Sequence, residues 1–123
     1  MKDNPVGWFE IYVRDMPRAQ RFYETVFACS LQQLGGAELE MLAFPMRMGA
    51  AGAAGALVRK PGFDGGGNGV IIYFSCEDCA VQAARVANAG GRLERGKFAI
   101  GEYGYIALAV DTEGNMIGLH SRQ

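Results

Sequence analysis

The chain has 123 residues, 50% of them hydrophobic, and a formal net charge of −1. That length suits one compact domain, and the charges are scattered, so no basic stripe exists to neutralise phosphates and a nucleic-acid partner is not expected. No run of about 18 apolar residues occurs, which argues against a membrane span, and the opening Met1-Lys2-Asp3-Asn4-Pro5 lacks the apolar core of a signal peptide, so a cytoplasmic protein is expected.

Residues 7–14 alternate as a strand does. Phe9, Ile11 and Val13 point to one face, and Trp8, Glu10, Tyr12 and Arg14 to the other. Asp15 reads as a helix N-cap, with Pro17 in the first turn, where a missing N–H costs nothing. Ala19, Phe22, Tyr23, Val26 and Phe27 recur at helical spacing and form a stripe that should pack on Phe9, Ile11 and Val13. The face bearing Trp8 and Tyr12 is then left open. A short strand is expected at 31–34, a Gly35-Gly36 turn, a strand over 39–46, a Gly/Ala-rich loop at 49–55 and a strand at 56–59 that Pro61 ends. The stretch that follows, with Phe63-Asp64-Gly65-Gly66-Gly67-Asn68-Gly69, has the composition of a flexible linker. It precedes a strand rather than a helix, so it lacks the geometry of a phosphate-binding loop.

The second half repeats this plan. Residues 70–76 read as a strand and 78–89 as a helix closed by Gly90-Gly91, with Val81, Ala84, Arg85, Val86 and Ala89 as its weaker apolar stripe. A strand over 92–98 and a turn at Gly101-Glu102-Tyr103-Gly104 come next. The chain then closes on a hairpin, 105–110 and 115–120, around Asp111-Thr112-Glu113-Gly114-Asn115. Cys76 and Cys79 have the C-x-x-C spacing, but no second Cys/His pair completes a zinc site; they read as a strand-end and a helix-start cysteine. Trp8 to Asp15 lies over Ile71 to Asp78 at an offset of about 63, and Gly52 to Val58 over Gly114 to His120 at about 62. The predicted fold class is α+β, two tandem β-α-β-β-β modules at about 5–60 and 70–121, joined by a Gly-rich linker at about 61–69, all in one domain.

This pattern resembles the vicinal oxygen chelate superfamily, the glyoxalase/bleomycin-resistance/dioxygenase proteins. The residues carrying the resemblance are the strand-Asp15-helix segment with Ala19 and Phe22-Tyr23, the Ala89-Gly90-Gly91 helix end, and Asp111-x-x-Gly114-Asn115-x-Ile117-x-Leu119. The resemblance implies a curved mixed sheet around a cleft, usually in a homodimer. In the family's enzymes four His, Glu or Gln ligands hold a divalent metal there. The matching positions here are Trp8, Ala56, Ile71 and Gly118, none of which can bind a metal. Metal-assisted chemistry is therefore not expected, and no cofactor is expected either.

Strand alternation puts Trp8, Glu10, Tyr12, Ala56, Val58, Ile71, Tyr73, Ser75, Met116, Gly118 and His120 on the cleft face. An aromatic-rich lining with a few polar groups suits a small organic molecule. Flat rings would stack on Trp8 and Tyr73, and Glu10 would favour a cation. Trp8 has a second reading as a plug in the space of the lost metal. Glu10 and His120 are the candidate acid/base residues of a metal-independent lyase- or isomerase-type enzyme. For Glu10 the competing reading is a surface pair with Arg14 or Arg59, and for His120 a solvated residue near the C-terminus. A relocated metal site from Glu10, His120 and Glu102 is a further alternative. Tyr103 and Tyr105 are read as a cleft roof or a dimer contact, and Met41, Met46 and Met48 as core filling or a binding wall.

Overall fold

The computed structural model describes residues 4–34, 39–47 and 49–123. The expected Gly35-Gly36 turn and Met48 lie outside the described residues. The first module runs β1 (Trp8–Tyr12), α1 (Met16–Phe27), β2 (Gln32–Gln33), β3 (Glu40–Ala43) and β4 (Ala54–Arg59). The second runs β5 (Ile72–Ser75), α2 (Cys79–Arg85), β6 (Arg92–Ala99), a 3₁₀ turn (Gly101–Tyr103), β7 (Tyr105–Val110) and β8 (Met116–Ser121). Two four-stranded sheets result, ordered β1-β4-β3-β2 and β5-β8-β7-β6. In each, the first and last strands of the module pair in parallel and the remaining pairs are antiparallel. The class is α+β, as expected, with the mixed sheet present as two halves.

Both helices begin as their sequences dictate. Asp15 accepts a hydrogen bond from the Arg18 N–H at 3.1 Å, and Asp78 from the Ala80 N–H at 3.0 Å. Each satisfies an amide that has no partner inside its helix. Ala19, Phe22, Tyr23 and Val26 are fully buried against Ile11, Val13 and Leu57. Each large side chain so removed from water contributes about 1.5–3 kcal/mol before entropy is counted.

The second helix corrects the expectation. Its buried positions are Cys79, Ala83, Val86 and Ala89, while Val81 and Ala84 are exposed and Arg85 half-buried. The small Cys79 sits in the cluster with Ala107 and Leu119, and this sets the phase of the helix. Regular α-helix also ends at Arg85 rather than near Ala89. Beyond it Val86 and Gly90 donate three residues back, to Ala83 and Ala87, and the last turn tightens.

The largest buried cluster draws on both modules, combining α1 with Val86, Ala89, Ala109 and Ile117. Polar contacts reinforce this contact between the halves. The closing turn between β7 and β8 is bonded to the start of α1. Tyr23 donates to Asp111 Oδ2 at 2.6 Å, and Glu113 accepts the N–H groups of Arg14 and Asp15 at 2.9 and 3.0 Å. Glu113 also accepts from Arg18 Nε at 2.8 Å and Thr112 Oγ1 at 2.8 Å, and Asn115 Nδ2 donates to the Tyr12 carbonyl at 3.1 Å. The linker is held to the same turn. The Gly66 N–H donates to Asn115 Oδ1 at 2.5 Å, and Asn68 exchanges two bonds of 3.2 Å with the Met116 backbone. Gly65 has φ +84° and lies against the Tyr12 carbonyl, an approach that a side chain would block.

Candidate functional site

The even-numbered residues of β1 form a ladder. Trp8 Nε1 donates to Glu10 Oε2 at 3.2 Å, and the Tyr12 hydroxyl donates to Glu10 Oε1 at 2.6 Å. Alternation along a strand places residues two apart on one face, so the indole, carboxylate and phenol meet without help from elsewhere. The bond to Glu10, helped by some burial and by the carboxylate's charge, lifts the Tyr12 phenol above its ordinary value. Neither expected arginine pairs with Glu10; Arg59 donates instead to the Arg14 carbonyl at 3.3 Å. The linker extends the column. Phe63 stacks obliquely on Tyr12, ring centres 5.3 Å apart, and Lys60 Nζ lies 4.3 Å from the Phe63 ring centre. The composition of the linker gave no sign of this, since its one aromatic residue finds a partner only in the folded chain.

The open face of the second module is organised by Tyr73. Its ring lies flat over Gly118, the residue opposite it in the β5–β8 register. Tyr73 is 46% exposed and Trp8 40% exposed. Below Tyr73 a depression is lined by Ser75, Ile100, Tyr103, Ile106 and His120. His120 Nε2 lies 2.7 Å from the Tyr103 carbonyl oxygen. A carbonyl only accepts, so Nε2 carries the proton, and in a neutral ring Nδ1 keeps a free lone pair.

Glu10 and His120 line different depressions. Glu10 and Tyr12 border one with the glycine linker, Asn115 and Met116, whereas His120 borders the one under Tyr73. Ile71 is exposed just before β5. Val58 and Ala56 are fully buried with Ala43, beneath Tyr12 and Met41, so neither offers surface to a ligand in this chain. Tyr105 is half-buried under Lys97, while Tyr103 stands 63% exposed at the rim.

The family's metal does not fit the four matching positions. Trp8 and Ile71 carry no suitable donor, and Ala56 is sealed in the core. At residue 118 a Cβ atom would come within 2.5 Å of the Tyr73 ring; the ring occupies the space that a ligand side chain would need. Among the described residues no three His, Cys, Asp or Glu side chains are gathered as a metal ion would require, which includes the set Glu10, His120 and Glu102.

No protein-family model and no curated protein matches the sequence; the likeness is to solved structures. A glyoxalase-related enzyme from Fulvimarina pelagi matches with TM-score 0.72 and 17% identity, over 94% of this chain and 86% of that one. TnmS3, an antibiotic binding protein from Streptomyces sp. CB03234, matches with TM-score 0.70 and 24% identity, over 100% and 99%. A glyoxalase/bleomycin resistance protein/dioxygenase family enzyme from Burkholderia phytofirmans PsJN matches with TM-score 0.70 and 15% identity, over 95% and 98%. The chain therefore has the fold of the vicinal oxygen chelate superfamily, as its paired modules and closing hairpin led one to expect. Its own residues at the four positions matched to the family's metal ligands are Trp8, Ala56, Ile71 and Gly118. No helix among the described residues is long and apolar enough to cross a membrane.

Proposed function

We propose that this chain is a cytoplasmic, metal-independent binding protein for a small organic molecule with an apolar or aromatic body, a cationic one being favoured, and that it works as a homodimer. The observation carrying this reading is the Trp8–Glu10–Tyr12 ladder: one carboxylate set between an exposed indole and a half-buried phenol, on the face where the fold would otherwise present metal ligands. A cation there gains both the charge and the ring faces, about 0.5–2 kcal/mol for the ring term alone. The name of TnmS3, an antibiotic binding protein of the same fold, agrees with this use of the scaffold. Exposed Trp8, Ile71, Tyr73 and Tyr103 on the open faces suit coverage by a second copy. Three free cysteines suit a reducing compartment.

Trp8 is the sole tryptophan, so its emission reports this face directly. Titration with an N-methylquinolinium salt should change that emission saturably. The salt should bind about threefold or more tighter than neutral quinoline, and Glu10→Gln should erase the difference. Chelator should leave both titrations unchanged, and sedimentation should give the mass of a dimer. If no member of a panel of aromatic cations, acids and neutral rings moves the Trp8 emission saturably, the reading fails.

A second reading has one observation behind it. The bond from His120 to the Tyr103 carbonyl leaves Nδ1 available as a base beside Ser75 and Tyr73. A metal-independent lyase or isomerase would use that lone pair, or the Glu10 carboxylate, to move a proton. Since the two line separate depressions, they would act singly rather than as an acid/base pair. Loss of turnover in His120→Gln or Glu10→Gln, with ligand affinity retained, would favour it.

A further inference from the structure

A larger cavity lies away from the ladder, where the C-terminal end of α1 meets the seam between the two modules. It measures about 470 Å³, within the range of small-molecule sites. Phe9, Phe27, Phe44 and Phe74 line it, with Cys29 at its side. All four phenylalanines are half-buried, so part of each ring remains uncovered in this chain.

The rings pack on one another and form one continuous aromatic wall. Phe9 meets Phe74 edge-on at 90°, Phe44 is inclined to Phe9 by 44° and to Phe74 by 47°, and Phe27 leans on Phe74 at 4.4 Å between centres. A flat guest ring lying against that wall would meet ring faces and ring edges, the two favourable aromatic geometries. The remaining wall comes from Ala51, Gly52 and Ala53, whose small side chains leave the volume empty; nothing lies within 4 Å of a Cβ built on Gly52. No charged side chain lines the cavity among the described residues. An ionised guest would lose its hydration there with no partner in return. The side chains with polar atoms among its lining residues are Cys29, Tyr73 and Ser75.

We propose that this cavity is a second binding site, selective for neutral, flat aromatic molecules of one to three rings, and distinct from the Glu10 ladder in both place and charge preference. It stands independently of the reading given for the open face. Tyr73 and Ser75 border both the cavity and the depression under His120, so the two regions adjoin.

Cys29 is the reporter, because a guest in the cavity covers its thiol. The intact protein is alkylated with a maleimide, with and without naphthalene, and modification at Cys29 is followed by mass spectrometry. Naphthalene at ten times its dissociation constant should slow Cys29 modification about tenfold, while naphthalene-2-sulfonate at equal concentration should leave it unchanged. Ala53→Leu, a change at an exposed loop position of the cavity wall, should reduce the protection by naphthalene and leave the Trp8 titration intact. The proposal is overturned if naphthalene does not protect Cys29 up to its solubility limit, or if the sulfonate protects as well. It is also overturned if Cys29 is already protected without a probe in proportion to protein concentration, since a second copy then covers the cavity. Movement of Trp8 emission without protection of Cys29 would reject this site and leave the open-face reading standing.

Discussion

Replacing Glu113 with alanine strips the closing turn of its main tie to the first module. The carboxylate is 1% exposed and accepts from the Arg14 and Asp15 amides, from Arg18 and from Thr112. Hydrogen bonds to a charged acceptor contribute about 1.5–3 kcal/mol each when cut singly. The two amides can be partly rehydrated and Arg18 has a 46% exposed side chain, so the ion pair itself belongs near the weak end. A net loss of about 3 kcal/mol follows, and for a chain of this size that is a fall of roughly 10 °C in melting temperature. The pH dependence adds a second signature. Burial pushes the Glu113 carboxyl up, but Arg18, the Arg14 and Asp15 amides and Thr112 together pull it down further, to about 2 from 4.5. The folded value is depressed, so between those values the unfolded chain binds more protons. The stabilisation is complete above about pH 4.5 and is lost as pH falls through about 2. Urea unfolding of the native protein and Glu113→Ala at a series of pH values should show a gap that narrows across that window. A fall of less than about 3 °C at neutral pH, or a gap that does not change with pH, would refute the reasoning.

Gly118→Ala places a Cβ atom within 2.5 Å of the Tyr73 ring. The ring must swing away, at a cost of about 1–3 kcal/mol, to be read by urea unfolding and by the chemical shifts of Tyr73. Burial and the neighbouring Cys79 push the Cys76 thiol up to about 11, and Cys79 is fully buried. The C-x-x-C pair should therefore resist a disulfide-exchange reagent at pH 8 in the folded protein and react once it is unfolded; rapid labelling of both without unfolding would contradict this.

The elements legible in advance were those governed by neighbours along the chain. The alternation of Trp8, Glu10 and Tyr12 against Phe9 and Ile11 was fixed by strand geometry, and both helix starts by an aspartate that caps its own first turn. The repeat at a constant offset was enough to predict two β-α-β-β-β modules, because each alone lacks the surface to bury its core. The phase of α2 was not legible. Val81 is as apolar as Val86, and only the packing of Cys79 against Leu119 decides which side turns inward.

The candidate site divides along the same line. Which residue types face outward on β1, β5 and β8, and that Trp8, Ala56, Ile71 and Gly118 lack metal-binding atoms, could be read from the sequence, because pleat and atom type are local properties. What those residues do with one another was settled in three dimensions. Glu10 turns to Trp8 and Tyr12 rather than to an arginine, Phe63 returns from a glycine-rich linker to stack on Tyr12, and Tyr73 fills the space over Gly118. Glu10 and His120 share a face in the strand pattern yet border separate depressions, because each strand belongs to its own sheet. The wall of four phenylalanines likewise draws on β1, α1, the segment after β3 and β5. No local rule links segments so far apart; only the packing of one module on the other brings their rings together.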